Sequence, residues 1–517
     1  MKKYLCIVPL VLLAFVSLGF AAGKSNFTFG VTFGPHPVGF RVVHQYDYSR
    51  VYKPAFDLEG KPTKGERARP IQTLIWYPAQ PDKSAQPMLY GRYIEMALTE
   101  EDFDMDSAQK AALLKTVSEG AGGIPKDKYE IERVKPTHAF WEANPVIGKF
   151  PSVVYAPSLN SFAWENSDLC EYLASNGYIV VASPDMGSRS RAMTTDIVGV
   201  QTQAADIEFL IGYLHSIPQA DTSHIAVAGF SWGGISNVFA QVQDDRITAL
   251  VCIDGSIYFQ QDFAKDARYV TAGRVTVPLL YLANRGFDPF AAWRPYVASG
   301  FLDDAKYSDF HFVRFSGMQH QDFASMYIRF FPDEHFTDNT AAEISEGYSW
   351  ITRYVLHFLN AYLKNDKTGL EFLKNSPEKN GAARHQLTAQ FRPALHPAPV
   401  VADFARELVK QGYDKAIPFW HEVQKTDPSF ILPEKEVNAF GYLLMSSGKL
   451  NEAIAIFKLN VAMYPEGSNT YDSLAEAQAA AGDKQGAIAN YKKSLELNRG
   501  NTNAGERLKK LESNPIK

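Results

Sequence analysis

Between residues 152 and 363, short apolar runs alternate with amphipathic stretches, and this alternation limits what the chain can fold into more than any other feature. The runs at 152–156, 178–182, 225–228, 249–253, 279–283 and 312–315 carry apolar residues at both odd and even positions. A strand apolar on both sides must be covered on both sides, so the pattern predicts a mostly parallel sheet with helices on both faces. The helices are expected near 164–175, across 200–217, after Ser231 and near 348–363. In the second of them, Val200, Ala204, Ile207, Ile211 and Leu214 keep the three-or-four spacing of a stripe packed on a sheet.

The flanks follow other rules. Residues 27–78 are β-like, with runs such as 72–77 that suit an antiparallel edge. Residues 90–147 are charged and helix-prone, including a helix over 107–119 behind the capping residue Asp106, and read as an insertion placed to act as a lid. Pro377, Pro393, Pro397 and Pro399 mark residues 375–400 as a linker that closes an α/β domain over 23–374. Beyond it, Gly448 and Gly482, Ala453 and Ala487, and Phe457 and Tyr491 are each 34 residues apart. That period is the tetratricopeptide signature, so 401–517 is expected to be an all-α repeat domain of two clear units, with a degenerate third near 410–428.

Residues 1–22 have two lysines, an apolar run and then Ala21–Ala22, the layout of a cleavable secretory signal, so the mature protein is expected to be exported, periplasmic or secreted, without a membrane span. A formal charge of -5 gives no basic footprint for nucleic acid. The three cysteines have no metal-binding spacing, and Cys170 and Cys252 read as free thiols.

The chemistry is concentrated in Gly229-Phe230-Ser231-Trp232-Gly233-Gly234, directly after the run at 225–228. A G-x-S-x-G on a strand-to-helix turn exposes a strained serine at the carboxyl end of the sheet and brings the next backbone amide, that of Trp232, toward the reacting centre. A serine needs a base, and the base needs an orienting acid. In the α/β-hydrolase chain order, the acid and then the histidine follow the serine. His320 lies just past the run at 312–315, whereas His311 falls within it and later histidines fall in helices, linker or repeats. Asp254 and Asp288 both stand at carboxyl ends of strands, and spacing alone leaves the acid open between them.

Residues 69–79 (RPIQTLIWYPA), 155–162 (YAPSLNSF), the elbow at 229–234 and 320–324 (HQDFA) resemble the platelet-activating factor acetylhydrolases, secreted serine esterases of the α/β-hydrolase superfamily. The resemblance spans roughly residues 27–365 and rests on short motifs, and dienelactone and polyester-cleaving hydrolases share the elbow. It implies that the acid is Asp254, 23 residues beyond the serine, and that the second oxyanion donor is the backbone amide of Leu159. Where the family has His-Gly in the oxyanion loop, this chain has Pro157-Ser158.

The expectation is therefore a serine esterase that forms an acyl-enzyme on a small-molecule or lipid ester and needs neither metal nor organic cofactor. Two other readings use the same residues: an idle hydrolase scaffold whose repeats bind a protein partner, and a serine peptidase.

Overall fold

The computed structural model describes residues 23–57, 59–119, 124–260, 262–267, 269–286, 301–336, 338–395, 401–426 and 430–513. The chain divides into two units of internal contact, the first ending at Ala394 and the second starting at Leu395. The leader expected at 1–22 lies outside the described residues.

The first unit is built on one sheet. Its strands are β1 (Val38–Lys53), β2 (Arg67–Gln80), β3 (Ala139–Trp141), β4 (Asn144–Pro145), β5 (Phe150–Ala156), β6 (Ile179–Ala182), β7 (Ala220–Phe230), β8 (Ile247–Ile253), β9 (Leu279–Ala283), β10 (Phe310–Phe315) and β11 (Leu387–Arg392). They lie in the order β11-β10-β9-β8-β7-β5-β6-β2-β1-β3, with β4 beside β2. From β6 to β10 all neighbours are parallel. Strand β2 runs antiparallel to both β6 and β1. A mostly parallel sheet, with β2 and the terminal β11 reversed and helices in the crossovers, is the α/β class the alternation predicts.

The central strands are apolar on both sides because both sides are covered. Val153, Val180, Ala226, Val251 and Leu280 join one buried layer with Leu169, Tyr348 and Phe358. Their chain neighbours Val154, Val181, Val227, Leu250 and Tyr281 join the opposite layer with Val200, Ile207 and Ile211. Each aliphatic side chain so buried contributes about 1.5–3 kcal/mol. The stripe on helix Ile197–Leu214 is thus core packing, and Asp196 caps that helix by accepting from the Gly199 amide. Cys170 and Cys252 are buried free thiols.

The insertion contains helices Gly91–Met96, Ser107–Ser118 and Lys126–Glu132. Asp106 and Gln109 close a capping box at the start of the second. The segment is not wholly apart from the sheet: β3 pairs with β1 and β4 with β2. The outer side of β1 is an edge with open backbone groups, and β3 satisfies three residues of it.

The linker expected at 375–400 needs correction. Leu387–Arg392 runs antiparallel to β10 as the terminal strand, and the Arg392 guanidinium donates to the carbonyls of Leu302, Asp303 and Ala305. Pro393 follows directly, and an edge strand tolerates a proline there because only one of its sides is paired.

The second unit is helical throughout its described residues: Val401–Gln411, Ala416–Thr426, Glu434–Ser446, Leu450–Met463, Ser468–Ala480, Lys484–Leu497 and Thr502–Ser513. Residues 34 apart play equivalent parts. Gly448 and Gly482 both turn the chain with positive φ, +75° and +85°. Ala453 and Ala487 are fully buried, as are Phe457 and Tyr491. No helix of the described residues is long and apolar enough to cross a membrane.

One buried ion pair joins a sheet-covering helix to β2. Arg69 Nε and Nη2 donate to the two carboxylate oxygens of Asp206 at 2.7 and 2.6 Å, and its remaining donors reach the carbonyls of Met186 and Gly187. Arg50 donates to the same carboxylate. Asp206→Ala leaves the buried Arg69 uncompensated and should cost about 3–5 kcal/mol, read from urea unfolding. An unchanged midpoint would contradict this account of the pair.

Candidate active site

Strand β7 ends at Phe230 and helix Gly233–Gln241 begins three residues later, leaving Ser231 at the apex of a sharp turn with φ +52°. A serine pays for this left-handed conformation with steric strain, and the surroundings must hold it there. The Ser231 amide donates to the Ile253 carbonyl, and its own carbonyl accepts from Gly234 and Ser256. The glycines allow the crowding. A β-carbon on Gly229 would stand 2.2 Å from the Gly233 carbonyl oxygen, and one on Gly233 would stand 2.1 Å from that of Ala156. Helix Gly233–Gln241 is therefore pressed against the end of β5, where the loop 157–161 begins.

Two further strand ends supply the other side chains. Asp254 follows β8 with φ +45°, its side chain 1% exposed and its amide donating to the Leu282 carbonyl. His320 begins the short turn His320–Phe323 after β10. Its Nδ1 lies 2.5 Å from Asp254 Oδ2 and its Nε2 lies 2.8 Å from Ser231 Oγ. With the proton on Nδ1, the ring donates to the carboxylate and keeps a lone pair for the serine hydroxyl. Asp254, 23 residues past the serine, is thus in contact with the imidazole. Its rival in the sequence, Asp288, lies outside the described residues.

Several polar groups that sequence reasoning did not single out keep these side chains in place. Asn284 donates to Asp254 through its backbone at 3.0 Å and through its side-chain amide at 2.7 Å. Asp322, fully buried, accepts from the Gln319 amide at 2.7 Å and faces His335 Nε2 at 2.9 Å, fixing the turn that carries His320. The ring of Phe230 lies 5.1 Å from that of His320. Asn284 had a signal in the sequence, since it directly follows a strand's carboxyl end. Asp322 and His335 are joined only by tertiary folding.

The loop 157–161 is tied on both sides of Leu159. Gln203 donates to the Pro157 carbonyl at 2.8 Å. The Ser158 amide donates to Glu165 at 2.9 Å and the Asn160 amide to Asp185 at 2.7 Å, with Asn160 at φ +58°. Arg191 donates to the carbonyls of Asn160 and Ser161 and is itself paired with the buried Glu100 of the insertion. Among the described residues the amides of Leu159 and Trp232 have no protein acceptor. Each is a free donor, and that of Trp232 stands at the start of helix Gly233–Gln241.

No protein-family model matches the sequence, and no curated protein matches it. A solved structure, a ferulic acid esterase from Streptomyces cinnamoneus, is similar at 21% identity with a TM-score of 0.49, over 70% of this chain and 98% of that one.

Asp254→Asn should leave the fold intact and lower turnover of an ester by about 10³–10⁴-fold, because a neutral amide neither stabilises the imidazolium nor enforces the tautomer with the proton on Nδ1. Asp288→Asn should change it by less than about threefold, and the reverse ranking would contradict the geometry just described.

Proposed function

We propose that this chain is an exported serine hydrolase that cleaves carboxylic esters, with Ser231 as nucleophile, His320 as general base and acid, and Asp254 as its orienting acid. The observation that carries the reading is the double contact of one imidazole, 2.8 Å to the serine hydroxyl and 2.5 Å to a buried carboxylate.

In the first step Ser231 Oγ bonds to the ester carbonyl carbon while its proton passes to His320 Nε2. The carbonyl electron pair moves to oxygen, and the oxyanion is met by the backbone N–H groups of Trp232 and Leu159. Collapse breaks the bond to the alcohol, which leaves with the proton from His320. Water, deprotonated by the same nitrogen, then attacks the acyl-enzyme and frees the acid. Each amide donor to the oxyanion is worth about 2.7–4 kcal/mol of transition-state stabilisation.

The acetylhydrolase-like motifs support a small-molecule or lipid ester as substrate. Residues 90–147 connect to the oxyanion loop through Glu100 and Arg191, which supports a share for the insertion in shaping the acyl side. The 34-residue helical repeat is tetratricopeptide-like and supports a protein partner for the second unit. The lysine-led apolar leader supports delivery to the periplasm or beyond.

A fluorophosphonate probe should label the folded protein at Ser231, and Ser231→Ala should abolish labelling and lower hydrolysis of p-nitrophenyl esters by at least about 10⁴-fold. Folded protein that takes no label points to an inert scaffold working through its repeats. Cleavage of peptide amides in preference to a short- and long-chain ester panel points to a peptidase.

A further inference from the structure

The loop bearing Leu159 has beneath it an acid that the proposed mechanism does not use. Glu165 is fully buried two residues before helix Ser167–Ser175. Its Oε2 accepts from the Ser158 amide and from the Tyr155 hydroxyl, each at 2.9 Å, and its Oε1 is bonded to the Ser158 hydroxyl. Tyr155 in turn accepts from Asn166 Nδ2 at 2.7 Å, so the phenol proton is directed at Glu165. Asn166 is itself fixed, its Oδ1 accepting from the Ser325 amide at 3.0 Å and from the Tyr348 hydroxyl at 2.7 Å. Neighbouring Tyr327 has its pKa pushed up to about 12, by burial first and then by the Glu165 charge.

A carboxyl group placed out of water is costly unless its bonds are satisfied, and these are satisfied by Ser158 of the loop and Tyr155 of β5. Burial raises the Glu165 pKa, while the bonds from Ser158 and Tyr155 oppose that rise. Oε1 faces Ser158 Oγ, a hydroxyl that can serve as either donor or acceptor. The bond to the loop therefore survives in both charge states.

We infer that Glu165 is a positioning residue: by accepting from the Ser158 N–H and hydroxyl it fixes Ser158, the residue whose carbonyl is joined to the Leu159 N–H, so that this N–H meets the developing oxyanion. The inference rests on the esterase reading above and adds a residue to it. Asp185 holds the other side through the Asn160 amide, so the Leu159 peptide is suspended between two fixed N–H directions. Removing Glu165 leaves Gln203 on the Pro157 carbonyl but releases the Ser158 N–H and hydroxyl, which gives the Leu159 peptide room to rotate. A misplacement of about 1 Å in such a group costs up to about 100-fold in rate.

The test uses p-nitrophenyl acetate and the full chain. Glu165→Met keeps the length of the side chain and removes its acceptors, and should lower kcat by about 10- to 100-fold with KM within about threefold. Glu165→Gln can accept from the Ser158 amide and Tyr155 and donate to the Ser158 hydroxyl, and should recover most of that loss, which a general packing defect would not predict. A folded Glu165→Met enzyme with wild-type kcat overturns the inference, as does a Gln variant no better than Met. Should Glu165→Met fail to fold, Glu165→Asp decides: its shorter side chain draws the acceptors back from the Ser158 amide, so kcat lower by about 10-fold at unchanged KM supports the anchor, and wild-type kcat overturns it. Wild-type protein that neither takes a fluorophosphonate at Ser231 nor cleaves any ester overturns the esterase reading together with this one, whereas an active wild type with indifferent variants overturns only the role of Glu165.

Discussion

The first turn of helix Gly233–Gln241 approaches neighbouring backbone so closely that side chains are excluded, and the rest of the site depends on this contact. The Gly233 position faces the Ala156 carbonyl and the Gly234 position faces Gly255, so β5, β7 and β8 are locked together at their carboxyl ends. Within that lock Ser231 is strained and half-buried, Asp254 is buried directly after β8, and the loop after β5 begins beside Trp232. The strain at Ser231 and Asp254, both with positive φ, is tolerated because each has its backbone bonded to an adjacent strand end. Stability held in the sheet is what permits an unfavourable conformation at its rim.

Much of this was legible in the chain. Apolar runs covered on both sides gave the parallel sheet, since burial leaves the same mark at odd and even positions. The elbow was legible because glycine is needed wherever backbone meets backbone, and the 34-residue spacing because equivalent turns and helix contacts need equivalent residues. Ser231, His320 and Asp254, the three side chains that meet, were readable since each stands beyond the carboxyl end of a strand, although Asp254 was chosen over Asp288 only through a family resemblance.

The rest was hidden for physical reasons. Leu387–Arg392 is flanked by prolines and polar residues, and an edge strand paired on one side has a weak pattern of its own; its identity comes from the open side of β10. Glu165, Arg191 and Gln203 reach the loop 157–161 from three separate segments, and no local periodicity relates them. Buried acids such as Glu165 and Glu100 read as surface charges in a sequence, because only the folded state supplies the donors that let them leave water.

The most direct measurement is a crystal structure of the protein after reaction with a phosphonate ester that mimics the tetrahedral intermediate. The account predicts a covalent bond from phosphorus to Ser231 Oγ, with the phosphonyl oxygen about 2.7–3.1 Å from both the Trp232 and the Leu159 amide nitrogens. An adduct on another residue, or a phosphonyl oxygen turned away from those two amides, would contradict it.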